Sequence, residues 1–255
     1  MPAKMLTVEN AIDCFTSSFC YLRSFNYPYI EDSCDGITVM HDNPLRGEKS
    51  RTSEIVIKPS IEPQRIHQMV AGFHSHPRIL LSAFSLTSEE TLQLKSQYKG
   101  YGYRLLRTLP MFQCSSLSEY TNVLNYNCVE VFSTEQAEML KQALGHTLVK
   151  CGENGILDSK IKIFYVELDG AVVGWVRSIR CYRNISYISD VNVLPEYRRR
   201  GIGTALMHAL VNSNYSDGFL YSVLLATSAG SKLYQSTGFK EIAMLQMFAL
   251  NKAYK

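Results

Sequence analysis

The sequence predicts an α/β protein, a central mixed β-sheet with helices on both faces, built as two similar domains. Three observations predict it. Short runs rich in Val, Ile and Tyr alternate with helix-period segments from residue 185 to residue 250. A strand at 185–193 is stopped by Pro195, and an arginine-rich loop with Gly201 and Gly203 then opens a helix. The same pattern occurs earlier in the chain. Ser53–Pro59 aligns with Ser189–Pro195, Tyr98–Tyr103 with Tyr234–Phe239, and Met111-Phe112 with Met247-Phe248, all 136 positions apart. One constant separation at three places argues for a repeated unit.

Taken in order, residues 6–24 have the apolar spacing of a helix in Leu6, Ile12, Phe15, Phe19 and Leu22. Strands follow at 37–40 and 55–57, the second stopped by Pro59. Glu62-Pro63 starts a helix running to about residue 73, because proline is tolerated in a first turn. Residues 79–84 read as strand, Ser88-Glu-Glu opens a helix, and 103–112 returns as strand. The polar stretch 113–127 separates a domain of residues 1–117 from one of 128–255, with 118–127 as linker. The second domain begins with a strand at 129–131 and a helix at 134–144 that Gly145 ends. Asp169-Gly170 makes a hairpin of 162–168 and 171–179. Then come the central strand, a helix of about 203–211, a strand at 219–226, a helix at 229–236 and a strand at 241–250.

A net charge of +3 over 255 residues gives no reason to expect a nucleic-acid or membrane partner. Glu9 and Asp13 interrupt the N-terminus where a signal peptide would be apolar. Seven scattered cysteines without a C-x-x-C spacing read as free thiols of a cytoplasmic protein. His74 and His76 have no further ligands at useful spacing, so no metal is expected. The aromatics Tyr21, Phe25, Tyr27 and Tyr29 fit either a pocket wall or core packing.

The loop 198–204 is the chemically pointed segment. Glycine has no Cβ, so a ligand can approach the N–H groups of Gly201, Ile202, Gly203 and Thr204. A helix N-terminus adds unpaired donors and a positive dipole end, and Arg198, Arg199 and Arg200 add charge. The expected guest is a pyrophosphate. Leu206 excludes the G-x-G-x-x-G dinucleotide fingerprint, and Thr204-Ala205 excludes a P-loop.

This segment resembles the acetyl-CoA loop of the GNAT superfamily of acyl-CoA N-acyltransferases, Q/R-x-x-G-x-G/A, through Arg198, Gly201 and Gly203. Lys232–Phe239 resembles the family's L-Y-x-x-x-G-F helix end. The resemblance covers about residues 128–255. It implies acetyl transfer from acetyl-CoA to an amine acceptor, with the pantetheine arm along Val191, Asn192 and Val193 and with Tyr234 protonating the leaving thiolate. Thr227 and Gly230 depart from the Asn and Ala that many relatives carry there; Thr227 still offers a hydroxyl to the coenzyme. Glu167, Asp190 and Tyr187 are the candidate bases. Simple alternation puts Tyr187 on the face of Val191 and Val193, with Asp190 opposite. In the first half Arg65 and His67 stand where Gly201 and Gly203 stand in the second, so that half is expected to keep the fold without the loop. A non-catalytic acyl-CoA sensor or an interaction module is the alternative reading. The chain is expected to act as monomer or homodimer.

Overall fold

The computed structural model describes residues 6–25, 28–42, 53–72, 78–115, 126–150 and 157–250. In chain order the elements are α1 (Val8–Arg23), β1 (Tyr29–Cys34), β2 (Ile37–Asp42), β3 (Ser53–Ile57), α2 (Pro63–Ala71), β4 (Ile79–Ser85), α3 (Ser88–Gly100), β5 (Tyr103–Cys114), β6 (Cys128–Glu130), α4 (Thr134–Leu144), β7 (Ile161–Leu168), β8 (Ala171–Tyr182), β9 (Ile185–Val193), α5 (Ile202–Ser216), β10 (Tyr221–Leu225), α6 (Ser228–Ser236) and β11 (Lys240–Leu250), with a 3-10 turn at Pro195–Tyr197. They form two compact units. Unit 1 is residues 1–111 with 226–228 and 241–255; unit 2 is 112–225 with 229–240.

Unit 1 orders its strands β1-β2-β3-β4-β11-β5. β1, β2 and β3 pair antiparallel, β3 and β4 parallel, and β11 antiparallel to β4. Thr7 caps α1 by accepting from the Asn10 amide at 3.2 Å, and Thr87 caps α3 by accepting from that of Glu90 at 3.1 Å. Ile55, Ile57, Ile66, Leu81, Tyr98 and Phe248 make its core. Strand β1 was not expected from sequence. Five of its six residues are exposed, so it lacks the alternation that marks a half-buried strand. Its signal was the turn Asp35-Gly36, both residues at positive φ. Tyr29 thus belongs to a strand, whereas Tyr21 packs edge-on to Phe25 at 5.4 Å. Tyr27, His74 and His76 lie outside the described residues.

Unit 2 orders its strands β10-β9-β8-β7-β6, antiparallel except for the parallel β9–β10 pair. Ser133 and Gln136 form the capping box that starts α4, and Gly145 in the left-handed region ends it. Asp169 and Gly170, at φ 50 and 76, make the β7–β8 hairpin as their sequence requires. α5 runs five residues past its expected end at Val211, to Ser216. The extension looked like loop because Asn212, Ser213 and Asn214 are polar. Asn214 is instead fully buried. It donates to Ser186 Oγ and accepts from Ser178 Oγ, each at 3.1 Å, which satisfies the amide inside the core. Lys162 is buried nearby, its ammonium 3.0 Å from Glu130, 2.7 Å from Asp217 and 2.6 Å from Ser213 Oγ. Among the described residues no helix is long and apolar enough to cross a membrane.

Candidate active site

The glycine loop forms where β9 ends. Pro195 allows only a short 3-10 turn, and Arg199 and Gly201 then take positive φ, 60° and 84°. Gly201 is the N-cap of α5 and offers no side chain to its first turn. The first helix carbonyl bond is made by Gly201 itself, to Ala205 N at 3.0 Å. The amides of Ile202, Gly203 and Thr204 precede the first residue that can bond within the helix, so they point out of its end. A Cβ at Gly201 would strain the turn.

Gly203 has a different neighbour from the one its sequence suggests. A Cβ there would lie 3.2 Å from Leu233 Cδ2 on α6 and 3.8 Å from Val193 Cγ2. Its bareness lets α6 approach α5. The arginines also divide their work. Arg198 Nε donates to Val193 O at 2.9 Å and so ties the loop to the strand end. Arg200 donates to Glu196 O at 2.9 Å and lies over the Tyr197 ring, while the Tyr126 hydroxyl donates to Arg200 O at 2.8 Å. Arg199 is exposed.

Before the loop, β9 carries an extra residue. Arg177 pairs with Ser189 and Trp175 with Asn192, so three steps on β9 match two on β8. Asp190, in this interval, has φ 50, as a bulge residue often does. The bulge overturns the alternation expected from sequence. Tyr187 pairs with Ile179 and Asn192 with Trp175, so Tyr187 shares a face with Asn192. Val193 lies on the opposite face beside Gly174, where a Cβ would meet Ile202 and Leu206 of α5 at 3.0 and 3.1 Å. A single sequence cannot reveal such an insertion, because Asp190 is an ordinary strand-to-loop residue.

Asp190 does not stand alone as a base candidate: its carboxylate is ion-paired with the buried Arg177. Arg177 is the residue sequence reading passed over. Its signal was an arginine directly after the apolar run Val172–Val176 of β8. Glu167 is exposed and sits at a second register shift, between β7 and β8. Burial first, and then the Glu167 carboxylate, push the Tyr165 phenol up.

Tyr234 lies on α6, one residue past the Leu233 that touches the loop helix. It is buried, and burial pushes its phenol up to about 12. Its ring stands 6.2 Å from Phe112 and 6.1 Å from Phe239. The motif around it closes the helix. Gly238 has φ 85, and Phe239 N donates to Tyr234 O at 3.0 Å, a Schellman bond with the accompanying hydrophobic contact. Gly230 accounts for one departure from the family pattern. A Cβ there would fall 2.9 Å from Tyr234 Cε2, closer than real contacts allow. Thr227 lies in the connection between β10 and α6, within unit 1.

Residues 159–241 match the model of the acetyltransferase (GNAT) domain. Over 101 residues the chain is 30% identical to an N-alpha-acetyltransferase from Sulfurisphaera tokodaii, a stretch covering 33% of this chain and 60% of that relative. Among solved structures, a GCN5-related N-acetyltransferase from Kribbella flavida superposes with a TM-score of 0.63 at 13% identity, over 96% of both chains. One from Sphaerobacter thermophilus superposes with a TM-score of 0.52 at 15% identity, over 84% of this chain and 76% of that one. These two likenesses speak to the fold. The glycine loop and the Lys232–Phe239 helix end both fall inside the segment that is similar to the GNAT acetyltransferase domain, and the matched stretch spans 60% of the length of the Sulfurisphaera tokodaii relative.

Proposed function

We propose that unit 2 is an N-acetyltransferase that moves an acetyl group from acetyl-CoA to a primary amine by direct attack in a ternary complex. The observation that supports this best is the left-handed, uncapped Gly201 opening α5 directly after β9. That geometry suits a diphosphate, which accepts from the amides of Gly201, Ile202, Gly203 and Thr204 and lies at the positive end of the helix. Acetyl-CoA supplies an activated acyl group. The chain's residues orient it: the Val191–Val193 main chain offers pairing to the pantetheine arm and an amide to polarise the carbonyl. Arg198 and Arg200 stiffen the loop, and Arg199 faces solvent with its charge. Holding both reactants together supplies much of the rate, with no covalent enzyme intermediate.

Tyr234 is the proposed acid. A phenol at about 12 keeps its proton at neutral pH and can pass it to a thiolate as that thiolate leaves. Glu167 is the freer of the two carboxylates proposed as base, because Asp190 is held by Arg177. The proposed domain division, 1–117 and 128–255 about a linker at 118–127, makes the first half a GNAT-like repeat without the loop. In it Arg65 reaches Asp35 at 3.4 Å and His67 stacks on Tyr101 at 4.7 Å, where the second half has glycines. The proposed setting is cytoplasmic, as monomer or homodimer, without metal.

The test is acetyl-CoA turnover with a panel of amines, read as free thiol released, for the wild type and Tyr234→Phe. A rate lost with acetyl-CoA binding kept supports the enzyme. Binding without turnover in the wild type would instead leave a coenzyme sensor.

A further inference from the structure

Arg177 is a charged side chain only 9% exposed, in a strand whose neighbours Val176 and Ser178 are fully buried. It holds three partners at once. Nη1 donates to Leu148 O at 2.8 Å, Nε donates to Ser189 Oγ at 3.1 Å, and Nη2 pairs with the Asp190 carboxylate. Ser189 and Asp190 are the residues at which β9 departs from regular pairing, and Leu148 lies on the segment after α4. A guanidinium is planar with donors in fixed directions, so three partners on it are fixed relative to one another. Burial pulls the Arg177 pKa down, and the Asp190 carboxylate pushes it back up. A methionine of similar length would fill this space without the desolvation cost, so packing alone does not account for an arginine here.

We propose that Arg177 is a positioning residue for the coenzyme: by clamping Ser189 and Asp190 it sets the bulge, and thereby the direction of the Val191–Val193 main chain that receives the pantetheine arm. This rests on the proposed function. Left-handed Asp190 is an unfavourable conformation for a non-glycine residue and persists only if its surroundings hold it. The clamp supplies that hold from the face of Trp175 and Asn192, opposite to α5. It does not touch the loop 198–204. The two ends of the coenzyme site are therefore separable: Arg177 governs the arm, and Gly201 governs the diphosphate.

The experiment is calorimetric titration of wild type, Arg177→Met and Arg177→Lys with acetyl-CoA and with 3′-phospho-ADP, which carries the diphosphate but no pantetheine arm. Arg177→Met is expected to bind acetyl-CoA about tenfold more weakly, the equivalent of one good hydrogen bond, and 3′-phospho-ADP as the wild type does. Arg177→Lys keeps the charge beside Asp190 without the fork, and is expected to lose about threefold for acetyl-CoA alone. If Arg177→Met is too unstable to titrate, the lysine variant decides. Equal weakening of both ligands, or of neither, overturns the proposal, since a merely structural arginine would not separate them. Wild type that fails to bind either ligand overturns the coenzyme reading itself, which is a distinct result.

Discussion

Phe248 of β11 lies against Tyr98 of α3 with ring centroids 4.6 Å apart, within unit 1. The residues 136 positions away repeat the relationship in unit 2, where Phe112 stands 6.2 Å from Tyr234. The next pair repeats too: Tyr98 is 5.5 Å from Tyr103 and Tyr234 is 6.1 Å from Phe239, each after a glycine at positive φ, Gly102 and Gly238. The echo in the sequence is thus matched by paired rings.

The ring pairs give the first prediction. Phe248→Ala and Phe112→Ala each remove a fully buried aromatic, at a cost of about 3–5 kcal/mol. Only Phe112 borders the proposed acid. Urea unfolding should show both losses, whereas the turnover of the still-folded fraction should fall for Phe112→Ala alone.

Tyr234→Phe should lower the turnover number by about 10²–10⁴ while acetyl-CoA binding stays within about twofold. Gly230→Ala should give part of the same loss, because the new methyl displaces the Tyr234 ring. Steady-state rates beside calorimetric affinities check both. Equal turnover in all three proteins would remove Tyr234 from the chemistry.

The buried phenols predict an alkaline limit. Burial pushes Tyr103 and Tyr234 up to about 12 and raises Tyr98 as well. Folded pKa values above the unfolded ones mean stability that is whole below about pH 10 and is lost as pH rises towards 12. Absorbance of tyrosinate should therefore rise in step with unfolding across that window. The rate should not decline on Tyr234's account between pH 7 and 10.

Lys162 should matter more than a surface ion pair. Lys162→Met leaves Glu130 without its cation while Asp217 keeps Arg180 at 2.7 Å, so the loss should be about 1–3 kcal/mol, less than for a fully buried pair because Asp217 is also 42% exposed. The Lys162 hydrogen bond is the largest cause holding Asp217 below its ordinary pKa. Its contribution is present above the unfolded carboxylate value and is lost as pH falls through the folded one. Thermal melts at pH 7 and pH 3 should show the wild-type advantage shrinking at the lower pH.

Much of this was legible in the sequence, for identifiable reasons. The helix end at Gly145, the turn at Asp169-Gly170 and the Gly201 loop are short-range chemistry, and these formed where their residues direct. What escaped was set by distant partners. β1 is nearly all exposed, so no periodicity marked it. The last turns of α5 are polar because Asn214 satisfies Ser178 and Ser186 from other elements. The bulge at Asp190 depends on Arg177, thirteen residues earlier. At Gly203 the sequence allowed close approach by a ligand, and the structure adds close approach by Leu233. Gly203→Val should therefore destabilise by about 1–3 kcal/mol, and Leu233→Ala in the same chain should restore part of it.

If the start of α5 grips the coenzyme diphosphate as proposed, a crystal structure with acetyl-CoA will show it. The diphosphate oxygens should lie within hydrogen-bond distance, about 2.7–3.2 Å, of the amides from Gly201 to Thr204, with the arm along Val191–Val193. A diphosphate bound away from those amides, or no coenzyme at saturating concentration, would contradict it.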